Sequence, residues 1–167
     1  MCIRDSVEGV LKIVIFIAYL FLVTRMKEIH RVFEYHGAEH KTITCYEHGE
    51  ELTPANVRKY SRFHPRCGTS FIFIVLIISI LVGSFIPWGS TLVRALLKIL
   101  LLPVVMGIAY EIIQYAGAHD NVLCKILSAP GLWVQHLTAF EPDDSQIEVA
   151  ITALKAVIPE GGEQPNA

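Results

Sequence analysis

FIFIVLIISILVGSFI, residues 71–86, decides the fold. It sits inside a stretch that carries no charge from Thr69 to Val93. An uncharged apolar run of this length reads as a membrane-spanning helix. The composition agrees, with 53% of 167 residues hydrophobic and a mean hydropathy of +0.47, too apolar for an ordinary soluble domain. A net charge of −2 argues against a general nucleic-acid binder. Four cysteines, Cys2, Cys45, Cys67 and Cys124, form no C-x-x-C pair. Reduced thiols fit them better than a disulfide framework.

Working outward, a second apolar run precedes this one. From Val10 to Val23 the only charge is Lys12, and residues 7–24 can span a hydrocarbon core of ~30 Å if Lys12 snorkels. Residues 1–6 read as a foreign leader, and the chain as the C-terminal part of a longer protein. The middle span covers residues 69–88, with Pro87-Trp88-Gly89-Ser90 as its exit turn and Trp88 at the interface. Residues 92–118 form a third apolar stretch. Pro103 is expected to kink it, and one kinked span and a re-entrant pair both remain open. Arg94 and Lys98 lie near its outer end. Eight Lys and Arg residues fall between Arg25 and Arg66, and none between Pro87 and Thr91, so the first loop is expected to be cytoplasmic. The expected fold is mainly α, a polytopic membrane protein with about three transmembrane helices and cytoplasmic helical loops.

The polar segment, residues 25–68, carries the chemistry. Nothing interrupts a helix between Arg25 and Tyr35, so the first span is expected to run on out of the membrane, with Gly37 marking a bend. On that extension lies His36-Gly37-Ala38-Glu39-His40, an H-x-x-E-H array. Residues four apart share a helix face, so His36 and His40 are candidate ligands for one divalent metal, zinc by preference. Glu39 is the candidate general base. The plainer alternative is a solvated helix with incidental histidines. Leu52 to Asn56 reads as a new helix start, Thr53 as N-cap and Pro54 at the first position, running until Pro65. His64-Pro65-Arg66-Cys67 follows. His64 and Cys67 are further candidate ligands, and Arg66 a holder of negative charge. Their alternative is a turn before a membrane helix, with Arg66 as a headgroup anchor.

Glu111 lies within the third span. An acidic group there is costly and marks a functional site by default. It is the first choice for a third metal ligand, with a structural pairing to Lys41 or Arg66 as the alternative. Residues 119–158 read as cytoplasmic amphipathic helices. Asn121–Ser128 and Gly131–Leu137 are expected to be separate helices divided by Pro130, with Trp133 at the headgroups. Asp143 should cap a last helix, with Gln146 as its capping-box partner. Ile147, Ala150, Ile151, Leu154 and Ile158 form that helix's apolar stripe. Pro159 stops it, and residues 159–167 read as a disordered tail.

Taken together, Tyr35 to Lys41, His64 to Phe71, Tyr110-Glu111 and Pro130 to Gln135 with Leu137-Thr138 and Glu141-Pro142 resemble one family. It is the bacterial membrane family known as YqhQ, domain of unknown function 1385. The resemblance covers Val7 to about Ile158. It implies a multi-pass protein of the bacterial cytoplasmic membrane and a metal-dependent activity, and supplies no reaction.

The leading expectation is a metal-dependent hydrolase at the cytoplasmic face. His36 and His40 hold zinc, and Glu111, His64 or Cys67 complete the ligand set. Glu39 acts as base and Arg66 stabilises developing charge. The partners are the lipid bilayer and a membrane peptide or lipid substrate. The alternative is a non-catalytic scaffold or assembly protein built on the same residues as a buried polar network. A transporter ranks third, since no repeat supports a conducting path.

Overall fold

The computed structural model describes residues 2–86, 90–119 and 121–158, apart from the side chains of 2–6 and 123. The expected exit turn around Trp88, the stop at Pro159 and the tail lie outside the described residues. Among the described residues there are seven helices and no strand. They are α1 (Cys2–Val23), α2 (Lys27–Glu47), α3 (Pro54–Val57), α4 (Gly68–Ser84), α5 (Thr91–Ala118), α6 (Val122–Thr138) and α7 (Asp144–Val157). The chain divides into two compact units. The first is Met1–Tyr19 with Pro65–Val134, the second Leu20–His64 with Gln135–Ala167.

The first unit holds the apolar helices. α4 packs on α5, and Phe16 of α1 stacks with Phe73 of α4 at 6.1 Å between centroids. Two glycines allow close approach within it. A Cβ on Gly9 would lie 2.6 Å from Ile80, and one on Gly131 2.5 Å from Ser70 Cβ. α5 is one continuous helix through Pro103, so the re-entrant alternative is not what the chain adopts. By length and composition α5 is the one described helix able to cross a membrane by itself, and only 11% of its apolar window is buried. α1 joins the count only if it and α2 are taken as a single broken span, and α4, with 17 residues, is shorter. α6 also continues through a proline, Pro130, where two helices were expected. Proline removes one backbone donor but has a helical φ, and Asn121 starts this helix by accepting from Cys124 N at 2.8 Å.

The second unit is built on α2, against which α7 and α3 pack. α1 does not run on into α2. Thr24 Oγ1 donates back to Phe21 O at 2.8 Å. Tight bonds from Arg25 N to Leu22 O and Met26 N to Val23 O end the turn. Met26 is extended, with ψ 129°. The break therefore falls at Thr24–Met26, and Gly37 lies buried inside an unbroken helix. Ala38, Cys45, Val57, Ile147 and Ile151 form the core. Full burial of Ile147 and Ile151 contributes ~1.5–3 kcal/mol each. α7 begins with the expected capping box. Asp143 Oδ1 accepts from Gln146 N at 2.9 Å, and Gln146 Oε1 accepts from Asp143 N at 2.8 Å. Thr53 caps α3 with Pro54 at its first turn, but α3 ends at Val57, well short of Pro65.

Candidate functional site

Gly37 is the key to the histidine face of α2. A Cβ there would sit 2.0 Å from Phe140 O. Only glycine lets residues 138–140 lie directly on the helix. Phe140 N then donates to Phe33 O at 2.9 Å, and the Phe140 ring stacks on His30 at 4.2 Å. The same approach brings Thr138 O to His36, whose Nδ1 donates to it at 2.6 Å. One turn on, His40 Nδ1 donates to Arg62 O at 2.7 Å.

These two bonds set the tautomers. With Nδ1 carrying the proton, the lone pair of each ring is on Nε2. The rings lie 4.3 Å apart, and a ring nitrogen of one is within 4.8 Å of a ring nitrogen of the other. His64 is next to them, its ring 5.8 Å from that of His40. Its Nε2 faces Glu47 Oε2 at 3.2 Å. Its main chain is held at both polar atoms by one side chain. His64 N donates to Gln135 Oε1 at 2.9 Å, and Gln135 Nε2 donates to His64 O at 2.7 Å. His40 and His64 are 4% and 5% exposed, so the cluster is closed on most sides. Two imidazoles, each with a backbone carbonyl behind the ring, show the outer-shell pattern common to metal-ligating histidines.

Glu39 is exposed on α2. Arg66, Cys67 and Glu111 belong to the first unit. Cys67 is buried at the N-cap of α4. Arg66 lays its side chain over Gly117, whose Cβ would lie 2.5 Å from Arg66 Cγ. Glu111 is exposed on α5. Lys41 does not await Glu111. Its amine reaches Glu141 and the Arg58 carbonyl. Gln135 and Glu47 were not singled out from sequence as site residues. Spacing carries no signal for the first, while Glu47 shares the His40 face of α2 two turns on.

Away from the histidines, burial pushes the Cys45 thiol up, with the Glu50 carboxylate adding to it. Tyr60 is raised by burial and by its bond to Glu50. Asp143 is held below the usual carboxylate range by Ser145 and by the Gln146 amide.

Residues 1–160 match the family described as "Protein of unknown function (DUF1385)". The chain is 39% identical over 154 residues to "Uncharacterized protein YqhQ" of Bacillus subtilis (strain 168), a match covering 92% of this chain and 48% of that protein. The chain thus spans about half the length of the curated relative it matches. No solved structure matches it. With the family's description matching almost end to end and the relative aligning across the histidine helix, the chain belongs to the DUF1385 family.

Proposed function

We propose that the chain is part of a multi-pass bacterial inner-membrane protein whose second unit acts as a zinc-dependent hydrolase at the cytoplasmic face. The spans are α1, α4 and α5. At ~1.5 Å per residue they measure about 33, 25 and 42 Å, against a hydrocarbon core of ~30 Å. Val10, Val14, Ile99 and Leu100 are among their exposed apolar side chains. The observation that carries the catalytic reading is the paired carbonyl bonds at His36 and His40, which leave each lone pair on Nε2 in rings whose centroids are 4.3 Å apart.

In this reading His36 and His40 would hold the ion, with the His64 ring beside that of His40 as a candidate third ligand. A bound zinc would supply Lewis-acid polarisation of a substrate carbonyl or phosphoryl oxygen. The chain's own groups do the rest. Thr138 O and Arg62 O keep the first two rings in one tautomer and orientation. Gln135 fixes the His64 backbone, and Glu47 orients its ring. Glu39, open to solvent beside His40, takes the proton of the attacking water. A membrane peptide or a lipid fits the location. The scaffold reading has one observation in its favour, the near-complete burial of His40 and His64 in structural hydrogen bonds.

Metal analysis of the detergent-solubilised protein separates them. Stoichiometric zinc in the wild type, lost in the His36→Ala, His40→Ala double variant, is expected. Glu39→Gln should keep the zinc and lose hydrolysis. Cys67→Ser and Glu111→Gln test the two further ligands suggested by sequence. A folded wild type without metal would sink the hydrolase and leave the scaffold.

A further inference from the structure

Lys27, His30, Arg31 and Glu34 stand at spacings of three and four, so they share one face of α2. That face meets the start of α7. Together with the break at Thr24–Met26 it bounds a cavity of about 460 Å³. Every residue lining the cavity belongs to the second unit. Thr24 and Gln146 are its buried wall residues. The Gln146 side chain is spent on both sides. Its Nε2 donates to Glu34 Oε2 at 2.8 Å, and its Oε1 accepts from Asp143 N at 2.8 Å. This amide ties α2 to the cap of α7 and fixes one side of the cavity.

The charges around it are unevenly used. Glu34 also faces His30 Nδ1 at 3.1 Å. Asp143 Oδ1 accepts from Ser145 Oγ at 2.6 Å and from Gln146 N at 2.9 Å. Both acids thus have donors within the protein. The cations of the cavity, Arg25, Lys27 and Arg31, have no acid to pair with. Among the described residues no carboxylate lies within ion-pair distance of them. Arg25 rests 4.5 Å over the Phe21 ring. Asp143 is held low by Ser145 and by the Gln146 amide, and Arg31 adds only its field. Three cations against two carboxylates leave one net positive charge. The carboxylates repel a polyanion and accept from hydroxyl groups. A phosphodiester has a single negative charge and acceptor oxygens suited to Arg and Lys. The volume is within the ~300–1,000 Å³ of small-molecule sites. Phe21, Leu22 and Met26, next along the chain, are exposed apolar side chains, so a ligand with acyl chains also finds apolar surface there. We propose that the cavity binds a phosphodiester with a polyol arm, its phosphate at Arg25, Lys27 and Arg31 and its hydroxyls toward Glu34 and Asp143. Such a group is the head of a phospholipid or a soluble glycerophosphodiester. The site stands whether or not the histidines hold a metal.

The test is a calorimetric titration of the whole chain in uncharged detergent, with a chelator present so that the histidines play no part. The probes are glycerophosphoglycerol and short-chain phosphatidylglycerol. Binding of both means that the head group suffices. Binding of the lipid alone assigns the source to the bilayer, and binding of the free diester alone assigns it to solution. Binding of neither overturns the proposal. Phosphatidylcholine, with an ammonium in place of the hydroxyls, should bind more weakly by about tenfold or more, and equal binding overturns the site. Lys27→Gln with Arg31→Gln should weaken binding by about tenfold or more. Lys155→Gln, in the last turn of α7, should leave it unchanged. An unaltered double variant, or an equal loss in Lys155→Gln, overturns the site. If the double variant does not fold, Arg25→Gln, which lies outside α1 and α2, is read in the same way, and unaltered affinity there overturns the site.

Discussion

Gly37→Ala is the sharpest perturbation of the histidine face. In an open helix this change stabilises by ~0.8–1 kcal/mol, through propensity alone. Here the new methyl would lie 2.0 Å from Phe140 O. Residues 138–140 must retreat by about 1 Å or more to reach ordinary contact. Overpacking of this kind costs ~1–3 kcal/mol. The retreat also stretches Phe140 N to Phe33 O and His36 Nδ1 to Thr138 O, now 2.9 and 2.6 Å. At ~0.5–1.5 kcal/mol each, those add roughly 1–3 kcal/mol. Less the propensity gain, the net is a destabilisation of about 1–5 kcal/mol. Equilibrium denaturation in mild detergent measures it. Gly107→Ala, at a helical glycine with nothing within 4 Å, is the matched control and should be neutral or stabilising. Because the lost carbonyl also orients His36, the proposed zinc site predicts an affinity that falls by ~10–100-fold in Gly37→Ala. A variant as stable as Gly107→Ala, with unchanged zinc affinity, would refute the claim that residues 138–140 rest on this helix.

Two further outcomes are expected. Gln135→Leu keeps the volume but leaves both polar atoms of the buried His64 peptide without this partner, at ~1–3 kcal/mol for each; denaturation midpoints check it, and zinc binding should weaken in step. Asp143 has a folded-state pKa below its unfolded value, chiefly through Ser145, so its support of α7 is complete above the ordinary carboxylate range and is lost as pH falls through the folded value. Acid titration followed by circular dichroism should show this loss, and Asp143→Asn should flatten the acid limb.

What was legible in the sequence was local. The capping box at Asp143 and Gln146, the Thr53–Pro54 start and the apolar helices depend on neighbours within one or two turns. His36 and His40 share a face for the same reason. What was not legible depends on partners far along the chain. Thr138 stands 102 positions from His36, and Gln135 stands 71 from His64. No periodicity encodes such pairings. Gly37 therefore read as a bend, when its missing Cβ is space for a distant backbone. Lys41 was offered Glu111, while Glu141 answers it. The break at Thr24–Met26 was hidden because its residues are ordinary helix formers or nearly so. Pro130 was over-read, since a proline ends a helix only when packing does not hold the turn together.

The amide of Gln135 has a consequence for how the chain is threaded. The second unit loses the chain after His64 and regains it at Gln135. The two hydrogen bonds between these residues, 2.9 and 2.7 Å, tie the neck of a loop that contains residues 65–134. Closing a loop costs free energy that grows only logarithmically with its length, ~0.6 kcal/mol per doubling. The second unit is therefore almost indifferent to how much chain the loop holds. The apolar helices α4 and α5 are topologically an insertion into the second unit, and the two ends that a short linker would have to join already touch.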